Sequence, residues 1–314
     1  MSCLVPGSCP HRAVCVGERY NLPMPMDRRK LEDAITASGG GGQPDDQVEG
    51  LLARLTALEE TGKYRSLIKS IAAANNKSNF LASLFEANFA WQFEAAGMPL
   101  VYEVTQVAVQ SSSIDFKLGA VAGDTVYFEL RLLQQDQTTA DGIASQLSNS
   151  ACYAVRKDGE DERKEVLRLQ RTILQKVQKH DGTPIKFLKT GAGMINIVVV
   201  AVSDIILGAV DPMDCLLAAC GDPAVPMLCR RGVFGLFQQG SPDDREEMRA
   251  VALSFSHIRA TLHGVLFAFR AEDSGVLDYG IEQVMVWNSN LIDQARARPL
   301  AAQISTALPP HTLR

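Results

Sequence analysis

Residues 111–132, SSSIDFKLGAVAGDTVYFELRL, decide how the rest of the chain is read. Apolar and polar residues alternate on both sides of a glycine-containing turn, and the β-branched and aromatic content marks two short strands. With the turn centred near Ala122, residues 115 and 129 fall directly opposite each other in an antiparallel pair. Side chains alternate along a strand, so Phe116, Leu118, Phe128 and Leu130 share one face. Asp115, Lys117, Glu129 and Arg131 share the other. Like charges set across such a pair, with Cβ atoms about 5 Å apart, repel each other. The acid pair admits two readings. Either Lys117 or Arg131 neutralises it in a surface charge cluster, or it holds Mg²⁺, an ion that keeps several waters and uses only one or two carboxylates.

Upstream of the hairpin, Val48, Leu51, Leu52, Leu55 and Leu58 recur at helical spacing, as do Leu67, Ile68 and Ile71. A polar break, NNKSN, precedes a third helix, FLASLFEANFAWQFEAAG, whose apolar stripe is Leu81, Leu84, Phe85 and Phe89. Glu86 sits among these apolar residues, and Gly97 with Pro99 gives a stop signal. LVYEVTQVAV then reads as a strand ahead of the hairpin. Downstream, Val166, Leu169, Ile173 and Val177 give DERKEVLRLQRTILQKVQK an apolar face. MINIVVVAV suits a strand covered on both faces, and GVLFAFR and QVMVW are two further strand candidates. Helix, antiparallel hairpin, helix and buried strand together indicate an α/β domain with a mixed sheet flanked by helices.

Residues 1–45 read as a flexible N-terminal segment and linker, on the evidence of scattered prolines, the GGGG run at 39–42 and QPDD. Residues 46–314 then make one domain with a helical N-terminal part and a C-terminal extension. Cys3, Cys9, His11 and Cys15 lack the short spacings of structural zinc sites. Seven irregularly spaced cysteines suit a reducing cytoplasm better than a disulfide scaffold. No secretory signal and no membrane span are expected. The net charge of −5 argues against an all-over basic surface, so a nucleic-acid binder of this composition needs a localised basic groove.

The succession NFLASLFEANFAWQFEAAGMPLVYE, SSIDFKL and TVYFELRLL resembles the PD-(D/E)XK nuclease superfamily, the restriction-endonuclease-like fold. That family runs from a glutamate on the first core helix to an aspartate on one strand and a Glu-x-Lys on the next. Glu86, Asp115 and Glu129 match the three acids in order. The helix bearing Gln175 and Lys176, followed by MINIVVVAV, continues the same core, and HGVLFAF and VMVWNSN resemble the distal part of bacterial members. The resemblance covers roughly residues 65–290. It implies that Asp115 and Glu129 hold Mg²⁺ or Mn²⁺, that Glu86 binds or orients it, and that the reaction is hydrolysis of a nucleic-acid phosphodiester, DNA foremost. A homodimer is also implied, as in relatives that cut both strands. The sequence departs from the pattern at Arg131, where the family expects lysine. Arginine keeps the charge but presents a planar fork and is never a proton acceptor. Lys117, on the face of Asp115, is one candidate for the missing ammonium. A catalytically lapsed binding or interaction module is the alternative.

Other features carry less. Arg156 to Lys189 concentrates basic residues, which would suit phosphates through counterion release or make an ordinary solvated helix face. The glycines of TGAGMINIVVVAV precede their strand rather than follow it, so a turn is expected instead of a dinucleotide fingerprint. No phosphate loop, HExxH or GxSxG is present. The histidines are scattered, and Cys215 and Cys220 read as core thiols.

Overall fold

Six strands form one mixed sheet whose spatial order follows the chain. They are β1 (Leu100–Thr105), β2 (Ser113–Val121), β3 (Asp124–Leu132), β4 (Met194–Ala201), β5 (Gly264–Arg270) and β6 (Ile281–Trp287). The β1–β2 and β2–β3 pairs are antiparallel, β3–β4 and β4–β5 parallel, and β5–β6 antiparallel. This computed structural model describes residues 26–39, 42–105, 112–133, 141, 145–146, 148, 159–188, 191–202, 210–224, 232–235, 255–272 and 274–312. Eight α-helices lie among them. α1 (Arg28–Ala37), α2 (Asp45–Glu60), α3 (Arg65–Ala72), α4 (Lys77–Ala95) and α8 (Gln294–Ala307) cover one face of the sheet. α5 (Gly159–Val177), α6 (Pro212–Cys220) and α7 (Ser256–Thr261) cover the other.

The hairpin owes its register to two backbone features. Ala122 and Gly123 both take positive φ, 50° and 91°, in a two-residue turn that closes Val121 onto Asp124. Such turns match the twist of the flanking strands, and glycine carries the unusual φ at little cost. Continued unbroken, that register would set Phe116 against Glu129. An irregularity in β2 between Leu118 and Val121 shifts the pairing by one residue, so Phe116 meets Phe128. A bulge of this kind re-aims every side chain beyond it. Here it puts Asp115 across from Glu129 and keeps the phenylalanines on the opposite face.

α4 is fixed to that apolar face by an aromatic ladder. Phe89 packs on Phe116 and Phe128 with ring centroids 5.5 and 5.4 Å away, and Phe93 lies 5.5 Å from Phe128. Spacing of four residues aligns Phe85, Phe89 and Phe93 along one side of the helix. At its start, the Asn76 side chain accepts from the Asn79 N–H, satisfying one orphan donor of the first turn. On the other face, Leu169, Ile173 and Val177 of α5 are fully buried against the layer that contains Val198 and Val200.

The segment expected to be a linker differs from that reading between residues 26 and 38. Asp27 caps α1, and Leu31, Ala34 and Ile35 are buried in the main core. Three apolar residues at helical spacing outweigh the flexible composition on either side. Residues 1–25, including Cys3, Cys9, His11 and Cys15, lie outside the described residues.

Candidate functional site

Backbone pairing between β2 and β3 runs outward to Phe116 and Phe128, and the next position belongs to the two acids. There the carboxylates brace each other's strand. The Leu130 N–H donates to Asp115 Oδ2 at 2.7 Å, and the Asp115 N–H donates to Glu129 Oε2 at 3.3 Å. Glu129 is 0 % exposed, facing α5 beside Val198, its neighbour on β4. A fully buried carboxylate is costly unless it is paired.

Two ammonium groups provide the pairing. Lys176, on the flank of the α5 stripe between Ile173 and Val177, places Nζ 2.8 Å from Glu129 Oε1 and 3.7 Å from Asp115 Oδ2. Lys186, in the segment after α5, places Nζ 2.9 Å from the same Glu129 oxygen and donates to the Ser113 carbonyl. Both approach Oε1 off the directions of a hydrogen bond, so their hold on it is electrostatic rather than directed. Glu86 reaches the cluster from α4, its Oε2 accepting from the Tyr102 hydroxyl of β1 at 3.0 Å.

Two ammoniums face three carboxylates, and the proton affinities of Glu86 and Glu129 are raised. Burial first, then the Asp115 charge, pushes Glu86 up to about 7, against the opposing pull of Tyr102 and Lys176. Burial and Asp115 likewise raise Glu129 above the ordinary carboxylate range, despite both lysines. For Lys176, burial disfavours the ammonium, but Asp115 and Glu129 more than offset it and hold its pKa above the usual value.

Asp115 and Glu129 are thus brought together with Glu86 within electrostatic reach, whereas Arg131 and Lys117 are not drawn in. Arg131 is exposed and Lys117 half-buried, and neither makes an ion pair among the described residues. The ammoniums that meet Glu129 come from α5 and the segment following it. Gln175 is exposed, so of the two helix residues singled out from sequence only Lys176 reaches the acids. Position beside the Ile173–Val177 stripe was the signal for Lys176. Lys186 and Tyr102 had none in the sequence. No group of three or more histidine, cysteine, aspartate or glutamate side chains among the described residues is arranged as a metal centre.

The remaining candidates resolve as structure. Arg156, Lys157 and Lys189 of the basic stretch lie outside the described residues, while Arg168 pairs with Glu165 at 3.2 Å. Gly191 to Met194 is a turn closed by a 3.1 Å backbone hydrogen bond. His257 contacts the Lys186 carbonyl, and His263 the Thr261 carbonyl and the Asn196 N–H, so both rings tie backbone segments together. Cys215 is buried, and burial pushes its thiol up. Cys220, expected in the core, is exposed at the last position of α6.

No family model, curated protein or solved structure matches the chain. Sheet and cluster define an α/β protein with a buried acid–lysine site where β2 and β3 part. No helix among the described residues is long and apolar enough to cross a membrane.

Proposed function

We propose that this chain hydrolyses nucleic-acid phosphodiesters, DNA foremost, with a divalent cation held by Asp115 and Glu129, in keeping with its resemblance to PD-(D/E)XK nucleases. The observation that carries the reading is Lys176 astride two carboxylates that brace each other's strands. Residues with strongly perturbed proton affinity, crowded by like charges, are where chemistry concentrates.

The donor set is compatible with Mg²⁺ or Mn²⁺. All candidate ligands are carboxylate oxygens, the hard donors these ions prefer. Glu129 Oε1 faces two ammonium groups at 2.8 and 2.9 Å, neither as a directed hydrogen bond, so the ion would compete with them for it. Glu86 would bind or orient the ion from α4. When bound, the ion supplies an activated water at neutral pH and offsets charge on the phosphoryl oxygens. Lys176 takes the part the family gives to the lysine two residues after the motif glutamate, orienting water and countering negative charge. Arg131, exposed two residues beyond Glu129 on the same face of β3, would meet the nucleic-acid backbone as a phosphate contact.

A second reading, a lapsed site serving as a binding module, is favoured by the two lysines that already neutralise Glu129. Titrating Mg²⁺ or Mn²⁺ while following plasmid nicking and thermal stability separates the two. Nicking that disappears in Asp115→Ala supports hydrolysis, and stabilisation by the ion without nicking supports the lapsed site. Absence of both effects returns the acids to a charge cluster.

A further inference from the structure

Lys186 is held with more care than a surface lysine needs. Its own N–H and that of Ile185 both donate to the Val177 carbonyl at the end of α5, at 3.0 and 2.8 Å. Its carbonyl contacts His257 Nε2 at 2.8 Å, and Ser112 Oγ donates to the Ile185 carbonyl at 2.7 Å. The next residue, Phe187, takes φ 56° with its ring fully buried. That is a strained conformation for an aromatic residue, and it persists only where surrounding structure imposes it. All these restraints converge on one outcome, an ammonium delivered to Glu129 Oε1 and the Ser113 carbonyl.

The two lysines on that oxygen are not equivalent. Lys176 lies between Asp115 and Glu129, so both of its anionic partners belong to the site. Lys186 has one foot outside, on the Ser113 carbonyl. A desolvated ammonium must keep a partner. Lys186 can leave Oε1 and keep one outside the site, whereas Lys176 would keep only Asp115, itself a proposed ligand of the cation. We infer that Lys186 is the displaceable counter-ion of Glu129: it positions the carboxylate in the cation-free protein and yields Oε1 to the divalent cation, while Lys176 stays. This assigns a positioning residue to the site and rests on the reading of that site as a cation-dependent one.

The test is calorimetric titration of Mn²⁺ into the full chain at pH 8, for wild type, Lys186→Gln and Lys186→Arg, with plasmid cleavage assayed in parallel. Lys186→Gln is expected to bind Mn²⁺ about three- to tenfold more tightly and to reach half-maximal cleavage at correspondingly lower Mn²⁺, with Lys186→Arg restoring wild-type affinity. Equal or weaker binding by a folded Lys186→Gln, with wild type binding and cutting normally, overturns the displacement and leaves the nuclease reading standing. Tighter binding without cleavage in any form keeps the displacement and sinks the nuclease reading. No binding by any form ends both. Should Lys186→Gln fail to fold, amine labelling of the wild type followed by mass spectrometry decides the matter. Saturating Mn²⁺ should raise Lys186 labelling at least threefold, and unchanged or reduced labelling overturns the inference.

Discussion

Strand β3 carries an acid near each end, and the two are treated in opposite ways. Asp124, its first residue, meets Arg296 of α8 through two hydrogen bonds of 2.7 and 3.0 Å. That guanidinium holds Asp124 below the usual carboxylate range. Five residues on, Glu129 is buried with Asp115 and Glu86 nearby, shares Lys176 with Asp115 and pairs also with Lys186, and its proton affinity rises instead. One acid is matched by one planar fork and tightens the fold. The other sits where negative charge outnumbers positive, an arrangement that serves stability poorly and that the proposed cation would relieve.

Substitutions at the two ends should therefore separate function from stability. The largest effect is expected from Glu129→Gln, which should lower cation-dependent cleavage by about a hundredfold or more. Asp124→Asn should leave cleavage within a factor of two and lower stability by about 1 kcal/mol, since Arg296 is partly exposed and its pair is screened. Parallel losses of cleavage at both positions would erase the distinction.

Next in size is Lys176→Met, which removes the ammonium shared by two acids. Breaking a largely buried charge cluster this way should cost about 3 kcal/mol in chemical denaturation at pH 8. Divalent cation should recover part of that loss. A loss under 1 kcal/mol would mean that Lys176 is not what balances the acids.

The pH dependence should differ in sign. Glu86, raised in the folded protein to about 7, binds its proton more tightly folded than unfolded. Its unfavourable contribution is therefore absent below about pH 4.5 and grows as pH rises through 7. Glu86→Gln should stabilise the cation-free protein by about 2 kcal/mol at pH 8 and change little at pH 4.5. For Asp124, the depressed folded value means that its stabilisation is present above the ordinary aspartate range and is lost as pH falls through the lower folded one. Thermal melts of Glu86→Gln and Asp124→Asn across this range check both signs.

The smallest effects belong to Arg131→Ala and Lys117→Ala. Each should change stability by no more than about 0.5 kcal/mol, since neither side chain makes an ion pair among the described residues. Cleavage should fall only a fewfold, unlike the loss in Lys176→Met. A greater loss in Lys117→Ala would restore that residue to the site.

Much of the frame was legible because its signals are local. Period-two alternation placed β2 and β3 and the acid face, and the Leu84–Phe85–Phe89 stripe placed α4 with Glu86 on it. The bulge that puts Asp115 opposite Glu129 has no clear mark beyond Gly119 and Ala120 in an otherwise regular strand. α1 was hidden by the proline- and glycine-rich composition around it. α8 escaped notice because Pro299 interrupts a polar, weakly striped segment, yet Asp293 caps it and Leu300 and Ile304 are fully buried. Lys186 was invisible for a different reason. Its reach depends on a segment folded back onto Val177 and His257, contacts that no spacing rule encodes.

The most direct test of the cation-site claim is Mn²⁺-dependent relaxation of supercoiled plasmid by wild-type protein and Glu129→Gln, purified side by side and shown to be equally folded. The expected result is nicking by wild type that requires the ion and is abolished by chelator and by the substitution. Equal nicking by both proteins, or none by wild type at any Mn²⁺ or Mg²⁺ concentration, would contradict it.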